Sequence, residues 1–207
     1  MPVSPHHDCS ALGRQSPLKT SPSQKDAEAA VRTLIQWAGD DPEREGLWET
    51  PARVARSYGE LFSGYHSDPR TFLEKTFEEV CGYDELVVLK DIRVVSCCEH
   101  HMLPVIGTAH VGYLPDRRVV GISKLARVVQ GFSRRLQIQE KLVLDIAGAI
   151  EEVPWPRGVG VVIQAEHSCM TLRDVGMPGT SLTASRLLGE IRTDARTRAE
   201  FLRLTGL

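Results

Sequence analysis

At 207 residues the chain is long enough for one substantial hydrophobic core with an appendage, and too short for two large independent ones. Hydrophobic residues make up 42% and charged residues 25%, proportions that exclude general disorder, and no apolar run approaches the ~20 residues of a membrane-spanning helix. The formal net charge of −2 gives no general attraction for phosphate backbones, so nucleic acid is not an expected partner and any anion site has to be local.

Residues 1–23 are rich in Ser, Pro and other polar groups without periodicity, which predicts a flexible tail that cannot repay its ordering entropy. The tail lacks the apolar stretch of a secretory signal, so a cytoplasmic location is expected. The five cysteines, Cys9, Cys81, Cys97, Cys98 and Cys169, are odd in number and include an adjacent pair. That usage points to metal binding or free thiols rather than a disulfide framework.

A first helix is predicted from Ser23, whose spacing to Asp26 is that of a capping box, along the stripe Val31, Leu34, Ile35 and Ala38 to a stop at Gly39. After the acidic loop Asp40 to Glu43, a second helix opens at Thr50 and Pro51. It carries Val54, Tyr58, Leu61 and Phe62 on one face and stops at Gly64. These make an N-terminal helical region over 24–82. From Glu85 the texture turns β-branched, through Leu86–Leu89 and Ile92–Val95, and Gly107 to Tyr113 continues as alternating strand.

The helical period returns after Ser123 in Leu125, Val128, Val129 and Phe132, and again in Leu142, Val143, Ile146 and Ile150. A strand is predicted from Gly158 to Glu166, and a closing helix bears Phe201, Leu202 and Leu204. Paired strands followed by paired helices predict an α+β domain over 83–207, two helices lying on one face of the sheet.

The chemistry concentrates in Cys97-Cys98-Glu99-His100-His101. Thiolate and imidazole are the preferred ligands of zinc, and two intervening residues let both reach one ion from a turn. His167 and Cys169 stand two apart at the predicted end of a strand, where alternation would point both to one side. Three protein ligands with an open fourth position mark a catalytic rather than a structural zinc site. Spacing leaves the register open, because Cys97 with His100 has the same separation as Cys98 with His101.

Three blocks, Ser96 to His101, Gly121-Ile122-Ser123-Lys124-Leu125-Ala126-Arg127, and Arg135-Leu136-Gln137-Ile138-Gln139-Glu140, resemble the signature blocks of the GTP cyclohydrolase I family in order and in gaps. The segments Glu45 to Ala55 and Glu166-His167-Ser168-Cys169-Met170 resemble it too, so the likeness runs from about residue 27 to the end. It implies the tunnelling fold, an antiparallel sheet with two helices on one face plus an N-terminal helical region. It also implies a ring-forming homo-oligomer, typically a decamer of two pentamers with active sites between subunits.

Residue by residue, the resemblance implies Zn2+ on Cys98, His101 and Cys169, with His100 and His167 as proton-transfer groups. It implies Glu140, beside Gln139, as the acceptor for guanine. For the triphosphate of GTP it implies Ser123, Lys124, Arg127 and Arg173, joined by Arg53 and Arg56. The reaction implied is hydrolytic opening of the guanine imidazole ring, loss of formate from C8, and closure to 7,8-dihydroneopterin triphosphate, the first step of tetrahydrofolate and pterin biosynthesis. The chain departs from the family pattern after Arg173, where Asp174 replaces a glycine and Gly176 a position that is often polar or basic. An acid there is expected to weaken anion affinity unless it points away. The alternatives are a relative on the same fold acting on another pterin or a deazapurine, and a non-catalytic oligomer tied together by zinc.

Overall fold

The computed structural model describes residues 21–78, 82–173 and 176–207. Cys9, Cys81 and Asp174 lie outside the described residues. The chain divides into two compact units, one ending at Tyr58 and the other comprising Gly59–Leu207.

In the first unit, α1 (Gln24–Trp37) starts on the capping box read from the sequence: Ser23 Oγ accepts from the Asp26 amide and the Asp26 carboxylate accepts from the Ser23 amide. Gly39, in the left-handed region at φ 93°, ends the segment as glycine does best. The predicted apolar stripe is present but none of it is buried; Leu34 is 62% and Trp37 86% exposed. The division between units falls inside α2 (Thr50–Leu61).

The second unit holds β1 (Thr76–Phe77), β2 (Val87–Cys98), β3 (Pro104–Leu114), β4 (Val119–Val120), α3 (Ile122–Ser133), β5 (Leu136–Gln137), α4 (Gln139–Glu152), β6 (Gly158–His167), α5 (Ser168–Thr171), β7 (Leu182–Leu188), α6 (Gly189–Thr193) and α7 (Ala195–Thr205). The five-stranded sheet has the order β5-β2-β3-β6-β7, antiparallel throughout except for the short parallel pairing of β2 with β5. A separate two-stranded ladder joins β1 to β4.

Strand alternation sorts the sheet into two faces. Ala109, Val111 and Tyr113 of β3 and Val159, Val161 and Ile163 of β6 face a core closed by Leu125, Val128, Val129 and Phe132 of α3 and Leu142, Val143, Ile146 and Ile150 of α4. Both helical stripes are the ones the sequence predicts, and the α+β arrangement with two helices on one face is as expected. The opposite face carries Val162, and the fully buried Phe201 of α7 packs there. A Cβ at Gly112 or Gly160 would lie 2.8 or 2.7 Å from the Phe201 ring, so these two glycines make the room for it.

The second unit starts at Gly59, and Gly64, Pro69 and Leu73 are buried in it. Gly64 donates to the Arg134 carbonyl at 3.0 Å, and Arg135 donates back to the Gly64 carbonyl at 2.9 Å. The edge strand β7 was not anticipated; its sequence Leu-Thr-Ala-Ser-Arg-Leu-Leu is exposed or half-buried up to its last residue and lacks the β-branched run that marked the others.

Candidate metal centre and active site

The hairpin between β2 and β3 builds the first half of the site. The last pair of the ladder is Cys97 with Pro104, and the loop closes through Cys98, whose amide donates to the Leu103 carbonyl at 2.9 Å and whose carbonyl accepts from Met102 at 2.8 Å. Met102 takes a left-handed φ of 55°, the reversal that turns His101 back over the strand end. His101 Nδ1 thereby stands 3.7 Å from Cys98 Sγ.

The second half comes from β6. Its register sets His167 opposite Val105, so β6 ends beside the base of the same hairpin. There the chain turns helical: β6 stops at His167 and Cys169 lies in the single turn of α5. Convergence is achieved, though by a helical turn after the strand and not by the strand alternation the sequence suggested. The ligand atoms of Cys98, His101 and Cys169 all lie within 4.8 Å of one another.

This set resolves the register that spacing left open. Cys97 and Cys98 are neighbours at the end of a strand, so their side chains leave on opposite faces, and Cys98 is the one that joins His101 and Cys169. The fit to a metal is also electrostatic. Burial raises the Cys169 thiol pKa, and the neighbouring Cys98 raises it further; Cys97 is raised for the same two reasons, burial first. Two thiolates this close repel unless a cation lies between them, and a bound divalent ion inverts that balance. For a tetrahedral ion with bonds of about 2.3 Å to sulfur and 2.0–2.1 Å to nitrogen, sulfur and nitrogen should stand about 3.6 Å apart, close to the observed 3.7 Å. The residues fit a thiolate-loving divalent metal.

Around this centre, His100 is exposed, its Nδ1 4.0 Å from Cys98 Sγ and its ring edge-on to His101. Arg173 brings Nη2 to 3.4 Å from His101 Nε2. After Arg173 the chain turns at Gly176, with φ 55° and its amide donating to the Arg173 carbonyl; a left-handed residue explains glycine at this position. His167 is half-buried. Burial holds its pKa below the usual imidazole value, and the Glu140 carboxylate opposes that effect.

Glu140 itself is exposed in the first turn of α4, open to solvent as a ligand acceptor must be. Its neighbour Gln139 is different: it is 3% exposed, its amide nitrogen lies 2.8 Å from the Ile163 carbonyl and 2.9 Å from the Leu182 carbonyl, and its oxygen lies 2.8 Å from His167 Nε2. Its side chain is turned inward and engaged with protein. The sequence carried a sign of this, since Gln139 heads the buried stripe of Leu142, Val143 and Ile146 at helical spacing. Beneath Gln139 and His167 a cavity of ≈ 10 Å³ is lined also by Ser96, Val105 and Gln137; it has room for about one water.

The residues expected at the triphosphate belong to several elements. Ser123 and Lys124 occupy the first turn of α3, Arg127 follows one turn later with its guanidinium over the Phe72 ring, and Arg53 and Arg56 belong to the first unit, where Arg53 pairs with Glu49.

The family model for GTP cyclohydrolase I matches residues 27–206. The chain is 54% identical over 188 residues to GTP cyclohydrolase 1 of Brucella anthropi, covering 91% of this chain and 88% of that protein. It is 54% identical over 187 residues to GTP cyclohydrolase 1 of Maricaulis maris, covering 90% and 91%. The chain belongs to the GTP cyclohydrolase I family. All three blocks singled out in the sequence lie inside the matched span, and the Cys98, His101 and Cys169 cluster is therefore the metal-competent centre of a GTP cyclohydrolase I family member. Among the described residues no helix is long and apolar enough to cross a membrane.

Proposed function

We propose that the chain hydrolyses the imidazole ring of GTP, releasing formate and forming 7,8-dihydroneopterin triphosphate, in the cytoplasm and with zinc on Cys98, His101 and Cys169. The observation that carries this reading is the meeting of two thiols and an imidazole within 4.8 Å, next to His167, in a chain of this family. Bound there, zinc would supply the Lewis acidity that brings water to deprotonation near neutral pH.

The chain's own residues do the rest. Glu140 accepts the N1 and N2 hydrogens of guanine in two parallel bonds, a geometry a carboxylate offers and a neutral amide does not. His167, half-buried beside the centre, and the exposed His100 carry protons to and from the ring nitrogens as the ring opens. Gln139 holds His167 in place rather than touching the base. Arg173, already beside His101, together with Ser123, Lys124 and Arg127, binds the triphosphate; Ser123 adds the donors of a helix N-terminus.

α3 runs its length from Ser123 to Ser133 before the chain reaches β5, which pairs with the Cys97–Cys98 end of β2. Ten residues at the helical rise make about 15 Å, which puts the Ser123 turn at the end of α3 away from that strand end. This favours an assembly in which Ser123, Lys124 and Arg127 serve the metal centre of a neighbouring copy, with Arg53 and Arg56 contributing from the N-terminal unit. We take the assembly to be the ring-built decamer of two pentamers. Incubation of the purified, zinc-loaded protein with GTP tests the proposal: formate and a pterin that fluoresces on oxidation should accumulate together.

A further inference from the structure

We propose that Gln139 is a positioning residue that orients the His167 ring and fixes its neutral form with the hydrogen on Nε2, leaving the lone pair on Nδ1. This rests on the proposed hydrolysis only for its catalytic consequence; the assignment of the hydrogen rests on the hydrogen-bond chain alone.

The chain is directional from end to end. The side-chain nitrogen of Gln139 lies 2.8 Å from the Ile163 carbonyl oxygen and 2.9 Å from the Leu182 carbonyl oxygen. Both of those atoms can only accept, so this end of the amide has to be the NH2 group, with both hydrogens committed. The exchange of O and N that leaves many glutamines ambiguous is excluded here, because a flipped oxygen would face two carbonyl oxygens in a buried place. The Gln139 oxygen therefore faces His167 Nε2, at 2.8 Å.

An amide oxygen accepts and never donates, so Nε2 has to carry the hydrogen. A neutral imidazole has one N–H, which leaves the lone pair on Nδ1. Among the described residues none is hydrogen-bonded to that nitrogen.

The clamp is firm because of where it is built. Gln139 is the first residue of α4, and its two acceptors lie on β6 and β7, so one amide ties the helix start to two strands and uses the remaining oxygen to orient the ring. A second partner that fixes the tautomer of a working histidine is a recurrent requirement of proton transfer.

The direct test is magic-angle-spinning NMR of the intact, zinc-loaded protein labelled with 15N-histidine, the His167 signals identified by their disappearance in His167→Asn. The ring should show a protonated Nε2 and a bare Nδ1; the reverse pattern, or a mixture of the two tautomers, overturns the proposal. Gln139→Met, checked for zinc content and folding, should then show mixed tautomers and a kcat lower by about 10-fold, short of the 10²–10⁴-fold that the whole proton transfer is worth because His167 itself is still present, with KM for GTP little changed. A properly folded Gln139→Met that keeps the single tautomer would also overturn it, and if that variant does not fold, the wild-type spectrum decides by itself. Because the tautomer is read without substrate, a wild-type protein that releases no formate would sink the proposed hydrolysis while leaving this assignment to stand or fall on its own spectrum.

Discussion

Val105 stands opposite His167 in the ladder between β3 and β6, and that pairing is what carries Cys169 to Cys98. A slip of one residue would turn every side chain of β6 to the other face, removing Val159, Val161 and Ile163 from the core and separating the two halves of the metal centre. The register that buries the sheet is the same one that assembles the site.

Replacing Cys98 or Cys169 by Ala should remove bound metal and lower turnover together. The loss should exceed about 100-fold, the upper end of what altering a residue behind a ligand costs. Elemental analysis beside a GTP assay checks it; a metal-free variant with full activity would contradict the ligand assignment.

His167→Ala is expected to keep its metal while kcat falls by roughly 10²–10⁴-fold, the range for a proton-transfer group. Loss of the metal in this variant would instead make His167 a ligand.

Glu140→Ala should abolish the preference for GTP over ATP. A hydrogen bond to a charged group is worth ~1.5–3 kcal/mol, so losing two should lower kcat/KM for GTP by about 100-fold or more. An unchanged preference would remove Glu140 from guanine recognition.

Most of the sheet, both core helices and the meeting of a Cys-x-x-His turn with Cys169 were legible because each rests on a local pattern. The stripes through Leu125 and Leu142 announce buried helical faces, and Cys98 with His101 needs only a tight turn. The pairing of Cys98 rather than Cys97 was not legible from spacing, since it depends on which face of β2 meets the end of β6. The role of Gln139 was hidden for a similar reason: its partners Ile163 and Leu182 are distant in sequence, and only the fold brings two carbonyls and a histidine around one amide. The exposed stripe of α1 shows the reverse case, a strong helical period whose apolar side is left uncovered within the chain.

Gly160→Ala should destabilise the sheet unit without touching the site. Its methyl group would lie 2.7 Å from the buried Phe201 ring, and overpacking of this kind costs about 1–3 kcal/mol. A thermal melt lowered by several degrees is the expected result, with metal content unchanged.

A pH-dependent contribution is expected at Asp68, whose carboxyl is held below the usual carboxylate pKa by hydrogen bonding to the Arg70 side chain. Its folded pKa is depressed, so the stabilisation is complete above the unfolded value of about 3.9 and disappears as pH falls through the lower folded value. The Asp68 side chain is 43% exposed, so solvent screening limits the effect to roughly half a kcal/mol or less. Melting temperatures of the wild type and Asp68→Asn should differ slightly at pH 6, and the difference should shrink as pH falls below the unfolded carboxylate value; a difference that widens on acidification would argue against the charge as its source.

The most direct measurement is the stoichiometry of formate and pterin released from GTP by the zinc-loaded protein, run beside Cys98→Ala. The reading developed from the hairpin and the β6 terminus predicts one formate for each pterin formed and neither product from the variant. A metal-loaded, fully assembled wild-type protein that leaves GTP intact would contradict it.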